Sequence, residues 1–577
     1  MLSSLLERAK ADEPLWLPEL REAFLADPAS RPLYLRLTLH DGSVRDYPCA
    51  LPLWNSEEER RFAAEFLYAC VYNILAVCSG RELRLFFDTA DAGLCALFES
   101  LHSVFQLHES RRRGYGKVIS IAANIGGGAF CFAKSDLSAY VPLQETAARA
   151  APAPLDERLR ALCAKASGLA LCGIDVGGTD IKLALSDGKE LVCTKEYDWN
   201  PAACATAEEI TGPILWLTRL MRACLAHARA PLSDALGESL RTALSKDAPL
   251  AEIMRAVEAA EAAYGEKIIV LDGVGLSFPD IVIGDRIVGG ETPKTDGIRR
   301  NAAVLYAAEF EKITGLKTAL LPLCKPGGRV RIVNDGNMAA FTAAAELAHS
   351  KGTPSLSEGV IAHSLGTDLG TGWLTAEGTI PDLPLELYAA ILDLGSFQSR
   401  AYSPSDLRST RNFNSGLPGA QRYMSQSAAY RLAHKRKSAL LDGFTEQKDG
   451  EVRIMTEPRD MRKACLEHLM QRAEAGDPDA EAVFRDIGEN LSVAAREMDY
   501  LLHPAAPSRY LFGRFVKRPA VFRLLEEGFH RGAPGLRLLP SDEKLSNTPL
   551  MRALARAPGV TVAQFGQAVG SIYYTLT

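Results

Sequence analysis

The stretch GIDVGGTDIKLAL, residues 173–185, places two glycines and a threonine between two strand-like apolar runs. Glycine is costly inside a strand, because it loses the most backbone freedom on folding and packs no side chain. The Gly-Gly pair therefore indicates that another group must approach this backbone closely. Successive N–H groups in a tight turn can hold a phosphate, and glycine removes the β-carbon that would block the contact. The alternative interpretation is a plain β-turn.

A second stretch repeats the pattern. HSLGTDLGTGWLT, residues 363–375, has the same Gly-Thr-Asp step between strand-like runs, about 190 residues further along the chain. A repeat of this kind predicts two similar domains that face one another, with a polyphosphate held between them.

Composition bounds the class of protein. The chain has 577 residues, too many for one core, and 47% hydrophobic with 24% charged residues is typical of a soluble globular protein. A net charge of -6 and a pI near 6.0 argue against nucleic acid as a partner. The charged start and the lack of an apolar run of about 18 residues predict a cytoplasmic protein without a membrane partner. The 12 cysteines are scattered without a C-x-x-C pair.

Strand and helix patterns predict an α/β fold in four segments. Residues 1–145 form a small α/β domain of unknown role, with a final strand pair around KVISIAANIGGGAFCFA, 117–133, whose glycines make a hairpin turn or an anion-binding turn. Residues 146–168 are an Ala- and Pro-rich linker with a short helix. Residues 169–350 form the next domain, with a helical insertion at about 214–265, and residues 351–577 form the last.

Four motifs in order carry a family resemblance: DVGGTDIK at 175–182, NDGN at 334–337, LGTDLGTG at 365–372 and YLFGRFV at 510–516. From about residue 169 to the C-terminus the chain resembles the ROK family (repressors, open-reading-frame proteins and sugar kinases) of the actin-like ATPase and hexokinase superfamily. The resemblance implies two RNase H-like domains around a cleft, preceded here by a small separate α/β domain. It implies an ATP-dependent sugar kinase that uses Mg²⁺.

The resemblance assigns the general base to Asp335. A sugar hydroxyl is a poor nucleophile at neutral pH, so a positioned carboxylate must accept its proton. Asp335 follows the apolar strand RVRIV and precedes an alanine-rich helix, at a strand end where α/β folds present ligands. Without the family, the same aspartate is interpreted as a helix N-cap. Asn334 and Asn337 would hold substrate hydroxyls or shape the turn.

The same resemblance distributes the nucleotide contacts. Asp175 would contact Mg²⁺ through water. Lys182 would add a positive charge or remain a solvated side chain. The residues expected to contact the nucleotide are Gly177, Gly178 and Thr179 on the first hairpin, Gly366, Thr367, Gly370 and Gly372 on the second, and Gly513 on the adenosine side.

The sequence also departs from the family. In PLELYAAILDLG, residues 384–395, Glu386 is similar to a substrate-binding glutamate of the ROK kinases. Ala389, however, stands where the resemblance implies a histidine that is followed by a cysteine-rich zinc loop. No cysteine lies between Cys324 and Cys465, so no zinc is expected. Lys294 stands where the resemblance implies a neutral substrate-binding residue. A lysine there would suit an anionic group, so the substrate could be an acidic or phosphorylated sugar. The alternative is a lysine on an exposed loop.

Two functions remain open. The intact motifs favour an ATP-dependent sugar kinase that binds a sugar and a nucleotide, with a homodimer as a further option. Ala389 and the missing zinc loop favour a noncatalytic sugar or nucleotide sensor on the same fold. A DNA-binding repressor is the weakest option, because the first 150 residues show no basic recognition helix.

Overall fold

The computed structural model describes residues 1–106, 115–143, 153–289, 293–350, 356–366, 369–395, 402–403, 405–408, 418–448, 450–455, 458–540 and 546–577. The chain divides into two compact units. Unit 1 comprises Met1–Arg149, His363–Thr371 and Leu383–Pro540, and unit 2 comprises Ala150–Ala362, Gly372–Asp382 and Ser541–Thr577. The four predicted segments therefore do not coincide with the units, and their bounds stay a prediction.

Helices and strands are interspersed through the described residues. The first part holds α1 Leu2–Lys10, α2 Leu17–Ala26, β1 Arg31–Thr38, β2 Val44–Leu51, α3 Glu57–Val77, β3 Glu82–Phe87, α4 Ala92–Val104, α5 Lys117–Gly126 and β4 Cys131–Asp136. The second holds α6 Leu155–Lys165, β5 Ala170–Val176, β6 Asp180–Asp187, β7 Glu190–Asp198, α7 Ala207–Arg229, α8 Asp234–Leu244, α9 Leu250–Tyr264, β8 Leu271–Phe278, β9 Val282–Ile283, β10 Arg286–Ile287, α10 Asp296–Arg300, α11 Tyr306–Thr314, α12 Leu316–Leu320, β11 Cys324–Asn334 and α13 Asp335–His349. The third holds β12 Val360–Leu365, β13 Leu369–Leu374, α14 Gln421–Met424, α15 Gln426–Arg436, β14 Thr445–Lys448, β15 Glu451–Ile454, α16 Arg459–Glu474, α17 Pro478–Leu502, β16 Ser508–Gly513, α18 Pro519–Gly532, β17 Arg537–Pro540, α19 Pro549–Arg556 and α20 Val562–Tyr574.

Three larger sheets organise these elements. The first has the order β2-β1-β3-β4, the second β11-β8-β5-β6-β7 and the third β13-β12-β16-β17. In the second sheet β11, β8 and β5 run parallel, whereas β6 and β7 run antiparallel to their neighbours. The predicted α/β class is confirmed.

The predicted strand at residues 117–126 is wrong. These residues form α5, which ends at Gly127 in the left-handed conformation (φ 66°), where the Gly127 N–H donates to the carbonyl of Ala123. Val118, Ile121 and Ala122 are the buried apolar residues, at helical spacing. The run of glycines is thus a helix C-cap and not a hairpin turn.

The sequence predicts a separate N-terminal domain, but these residues share unit 1 with Leu383–Pro540. The Arg21 guanidinium pairs with the Glu497 carboxylate, and both side chains are buried. Tyr47 is also buried, and its hydroxyl donates to the carbonyl of Leu501 at 3.1 Å. Separating the N-terminal residues from Leu383–Pro540 would break these bonds and leave buried polar groups without partners, which costs free energy.

In unit 2, glycines let the helix α20 lie directly on the five-stranded sheet. Gly173 in β5 is paired with Gly275 in β8. A β-carbon on Gly173 would lie 1.9 Å from the Ala568 carbonyl oxygen, and one on Gly275 would lie 1.9 Å from that of Ser571. The alternate residues of β5 point to the opposite face, where Cys172 and Ile174 join the core with α7 and α9.

We expect Gly275→Ala to lower the free energy of unfolding by about 1–3 kcal/mol, because the added methyl group overpacks the contact with α20. Chemical denaturation monitored by circular dichroism measures the change. Gly566→Ala is the matched control: its nearest atoms lie 3.8 Å from an added β-carbon, and it should stabilise α20 by about 0.5–1 kcal/mol. Equal losses for both substitutions would contradict the packing argument.

Candidate active site

The hairpin between β5 and β6 is braced on its carbonyl side. The Gly177 N–H donates to the Asp180 carbonyl at 2.8 Å and closes the turn. The Trp199 indole N–H donates to the Gly177 carbonyl at 3.0 Å, and the Trp199 backbone N–H donates to the Thr179 carbonyl at 3.0 Å. One tryptophan therefore occupies two carbonyl groups of the turn and fixes its orientation.

The N–H side of the turn is open. Within the part of the chain that the structure describes, the amides of Gly178 and Thr179 have no acceptor, and both residues are exposed. A β-carbon on Gly177 would lie 2.9 Å from Asp180 Oδ1 and 3.0 Å from the Asp180 carbonyl oxygen, so the close approach of Asp180, and not a left-handed φ, favours glycine there. Two adjacent N–H groups without an acceptor can donate to an anion, and the phosphate contact predicted from the glycines stays a prediction.

Lys182 lies beside the hairpin but is paired within it. Its ammonium group donates to Asp180 Oδ1, and the Thr179 hydroxyl donates to Asp180 Oδ2 at 3.2 Å. The side chains of Lys182 and Asp180 are 15% and 22% exposed, so Lys182 is not the freely solvated lysine of the alternative interpretation. Its nucleotide contact stays a prediction.

Lys294 also lies against this hairpin. Its side chain is half-buried, its Nζ donates to the Pro279 carbonyl at 3.1 Å, and its Cε lies 3.6 Å from the position of a β-carbon on Gly178. The alternative interpretation, in which Lys294 is an exposed loop lysine, is therefore wrong. A positive charge stands next to the two free N–H groups.

Asp175 is the residue before the last in β5, a central strand of the sheet. Burial raises its pKa to about 6, while Lys182 lowers it and the Asp335 carboxylate raises it. Its side chain keeps some exposure to solvent, so the group can still exchange protons and contact a ligand. Asp175 and Asp335 thus lie near enough to interact electrostatically.

Asn334 and Asp335 divide the strand-to-helix step between them. Asn334, not Asp335, is the N-cap of α13: its Oδ1 accepts from the N–H groups of Gly336 at 2.9 Å and Asn337 at 3.4 Å. Its Nδ2 donates to the Asp280 carbonyl at 3.0 Å. Both ends of the Asn334 amide are used within the protein, which matches the turn-shaping interpretation. Asp335 is the first residue of the helix and is partly exposed, and its Oδ1 shares the Gly336 N–H at 2.9 Å.

Asn337 and Gly372 connect α13 with β13. Asn337 is 2% exposed, and its Oδ1 accepts from the Trp373 N–H at 3.0 Å. A β-carbon on Gly372 would lie 2.0 Å from the Gly336 carbonyl oxygen. Both residues therefore have structural partners, and their predicted contacts with substrate and nucleotide stay predictions.

The remaining predicted residues lie in unit 1. Thr367 lies outside the described residues. Gly370 is open, with Ser364 Cβ at 3.5 Å from an added β-carbon, and the Gly366 carbonyl accepts from the Gln426 N–H at 3.0 Å. Gly513 has φ 113°, and a β-carbon there would lie 2.4 Å from the Leu365 carbonyl oxygen, so only glycine fits.

Glu386 also lies in unit 1. It is partly exposed and begins a short 3-10 helix, Leu387–Ala389, in which Ala389 is buried. Its backbone N–H donates to the Ala76 carbonyl at 3.3 Å. Glu386 is thus positioned by the end of α3, far away in sequence.

Sequence reasoning missed Trp199 and Asp180 as parts of the hairpin. The glycine pattern assigns Asp180 no role, although this residue is the acceptor for Lys182 and Thr179. Trp199 directly follows β7, and a tryptophan at the end of a strand beside a glycine turn is the signal that could have found it.

Among the described residues, no group of three or more His, Cys, Asp or Glu side chains could hold a metal ion. None of the helices in the described part of the chain is both long and apolar enough to cross a bilayer.

Asp175→Asn should raise the free energy of unfolding by about 1–2 kcal/mol at pH 7.5, because it removes a charge that the folded state disfavours. The folded pKa of about 6 lies above the ordinary 3.8, so the folded state binds the proton more tightly. The stability of the native protein should therefore fall as pH rises from about 4 to about 6. Urea titrations at pH 3.5–8 should show the two curves converging below pH 4; a constant gap would contradict the assignment.

No family model and no curated protein matches the chain. Solved structures do match. A ROK family glucokinase from Streptomyces griseus, in complex with glucose and AMPPNP, is 16% identical with a TM-score of 0.34, over 70% of this chain and 98% of that one. A putative N-acetylmannosamine kinase from Listeria monocytogenes is 15% identical with a TM-score of 0.36, over 71% and 99%.

A ROK hexokinase from Thermus thermophilus is 17% identical with a TM-score of 0.32, over 67% of this chain and 98% of that one. Identities below 20% and TM-scores below 0.5 do not assign an activity. These solved structures that the chain resembles are ROK family and related sugar kinases.

Proposed function

We propose that the chain is an ATP-dependent kinase that phosphorylates a hydroxyl of a sugar or sugar derivative, with Asp335 as general base. The observation that carries the proposal is the position of Asp335. Asp335 directly follows β11, and its carboxylate is near enough to Asp175 to raise the pKa of that residue. The helix that Asp335 begins has Asn334 as its N-cap. The Gly336 N–H is shared between Asn334 Oδ1 and Asp335 Oδ1, each at 2.9 Å, so Asp335 Oδ2 is the oxygen that would accept a proton from a substrate hydroxyl.

The hairpin at residues 177–180 supports binding of the nucleotide's phosphates. The free N–H groups of Gly178 and Thr179 point partial positive charges at one anion, and the carbonyl groups behind them are occupied by Trp199. An anion bound here gains hydrogen bonds without breaking any within the protein. The matching residues of the second hairpin, Gly366, Thr367 and Gly370, are proposed as nucleotide ligands on the motif alone.

The Asp175 carboxylate fits Mg²⁺, which prefers oxygen ligands and is usually bound through one or two carboxylates, water and substrate phosphates. Asp175 would hold the ion through water. The ion would offset negative charge on the transferred phosphoryl group. Asp175 must be ionised for this purpose, and its pKa of about 6 leaves it ionised at neutral pH.

Lys294 is proposed as a further phosphate ligand. Its contact with Gly178 places an ammonium group beside the hairpin, whereas its sequence position suggested a ligand for an acidic sugar. One donor bond of the ammonium goes to Pro279, and an ammonium group has three. A charged donor next to two backbone N–H groups adds affinity and makes it sensitive to salt.

We expect Asp335→Asn to lower kcat by at least about 10², the usual scale of a general base, while sugar affinity changes little. ADP release with Mg-ATP across neutral, amino and acidic sugars measures the effect. Asp234→Asn is the matched control, because Asp234 is also the first residue of a helix in unit 2 and is exposed. If no sugar raises wild-type turnover although sugar or nucleotide still binds, the noncatalytic sensor is the better description.

We expect Lys294→Met to weaken binding of a nonhydrolysable ATP analogue about tenfold, the scale of one charge-assisted hydrogen bond, and to flatten its salt dependence. Calorimetry at two salt concentrations measures both. Lys189→Met, at an exposed lysine of the same unit, should change neither. A loss confined to acidic sugars, with nucleotide affinity intact, would instead place Lys294 on the substrate.

A further inference from the structure

The segment Leu383–Leu394, which carries Glu386, is held by N-terminal residues of unit 1. Its first contact is with the end of α3. The N–H groups of Leu385 and Glu386 donate to the carbonyls of Val77 at 3.0 Å and Ala76 at 3.3 Å. Carbonyls in the last turn of a helix have no partner within the helix and carry its negative dipole end, so they are strong acceptors.

Leu385 adopts a strained conformation at this contact. Its φ is 54°, in the left-handed region that a leucine rarely occupies, and its side chain is 5% exposed. Such a residue persists only where the surroundings over-determine it, and strain of this kind clusters at ligand sites. Leu385 directly precedes Glu386. The strained backbone of Leu385, held by its surroundings, therefore sets the orientation of Glu386.

A second contact comes from Asn73, a buried residue near the C-terminal end of α3. Asn73 is fully buried, its Nδ2 donates to the Ile391 carbonyl at 2.8 Å, and its Oδ1 accepts from the Ile391 N–H at 2.7 Å. The same Nδ2 also donates to Glu497 Oε1 at 2.8 Å, and Glu497 pairs with Arg21. The Asn73 side chain thus bonds both backbone groups of Ile391, as a neighbouring strand would. The buried pair of Glu497 and Arg21 holds the Asn73 amide in place.

A third contact lies before α2. The Leu17 N–H donates to the Leu392 carbonyl at 2.7 Å, and the Leu394 N–H donates to the Leu15 carbonyl at 2.9 Å. Between them, the buried Asp393 accepts from the Leu15 N–H at 2.8 Å. The segment is therefore paired along its length with residues more than 300 positions earlier in the chain.

We infer that the N-terminal residues 1–143 position the Glu386 segment, in the place that ROK kinases give to a histidine and a zinc loop, and that Asn73 is a positioning residue for sugar binding. The link to sugar rests on the proposed function. The hydrogen bonds from Asn73, Ala76, Val77 and Leu15 replace what a metal-bound loop would supply. Asn73 acts through Ile391 and Glu386 and does not itself contact substrate.

The test compares Asn73→Ala with Tyr47→Phe by amide hydrogen exchange. Tyr47→Phe removes a buried bond between the N-terminal part and Leu501 but does not touch residues 383–394, so it controls for general loosening. In wild type, the amides of Leu385, Glu386 and Ile391 should be protected like the core. Asn73→Ala should speed their exchange at least tenfold, and Tyr47→Phe should not.

Kinetics supply the second readout. Asn73→Ala should raise the KM for the sugar at least fivefold, with kcat and the KM for ATP within twofold, whereas Tyr47→Phe should leave all three unchanged. Equal exchange rates in both variants would overturn the inference. Rapid exchange of the three amides in the wild-type protein would also overturn it, and that result does not depend on the folding of a variant. The exchange readout needs no activity, so a wild type inactive on every sugar would refute the proposed function without deciding the exchange result.

Discussion

The close contact between α20 and the five-stranded sheet fixes the geometry of unit 2. Gly173 and Gly275 lie side by side on β5 and β8, and both give way to backbone carbonyls of α20. On another face of the helix, Gly570 approaches Thr342 in α13, where an added β-carbon would lie 1.9 Å from Oγ1. The helix is thus in close contact with both β5, which ends near Asp175, and α13, which begins with Asp335. A rigid, glycine-lined contact of this kind sets the separation of two carboxylates better than loops could.

The arrangement at the start of α13 separates two tasks that one residue often combines. An aspartate at an N-cap spends its carboxylate on backbone N–H groups and loses basicity as a result. Here the neutral amide of Asn334 takes the N–H groups of Gly336 and Asn337 and holds Asp280 with its other end. Asp335 Oδ1 also accepts from the Gly336 N–H, at 2.9 Å, so under the proposed function Asp335 Oδ2 is the oxygen left for the substrate. The Asn-Asp order of the motif therefore has a physical reason that holds whatever the substrate is.

Local signals in the sequence predicted the parts of the fold that depend on neighbouring residues. The apolar run before Asn334 and the alanines after it predicted the step from β11 to α13, and the glycines predicted the turn at 177–178. The helix α5 was missed because Val118, Ile119 and Ile121 are strand-forming residues followed by glycines, and only tertiary packing decides between the two periods. The partners of the Glu386 segment could not be predicted, because Ala76 and Asn73 lie more than 300 residues away and no pattern links them to Glu386 and Ile391. Lys294 beside Gly178 is a contact of the same kind.

The way in which the Glu386 segment is held has a consequence for its dynamics. A metal site orders a loop locally, and the loop can open when the metal leaves while the rest of the fold persists. Here the segment depends on α3 and on a buried pair between Arg21 and Glu497, so its amides and the N-terminal core share polar partners. Opening the segment would leave Asn73 and Glu497 buried without their bonds, at a cost comparable to that of unfolding a larger region. The segment should therefore open together with the N-terminal part, and the strained Leu385 should not relax on its own.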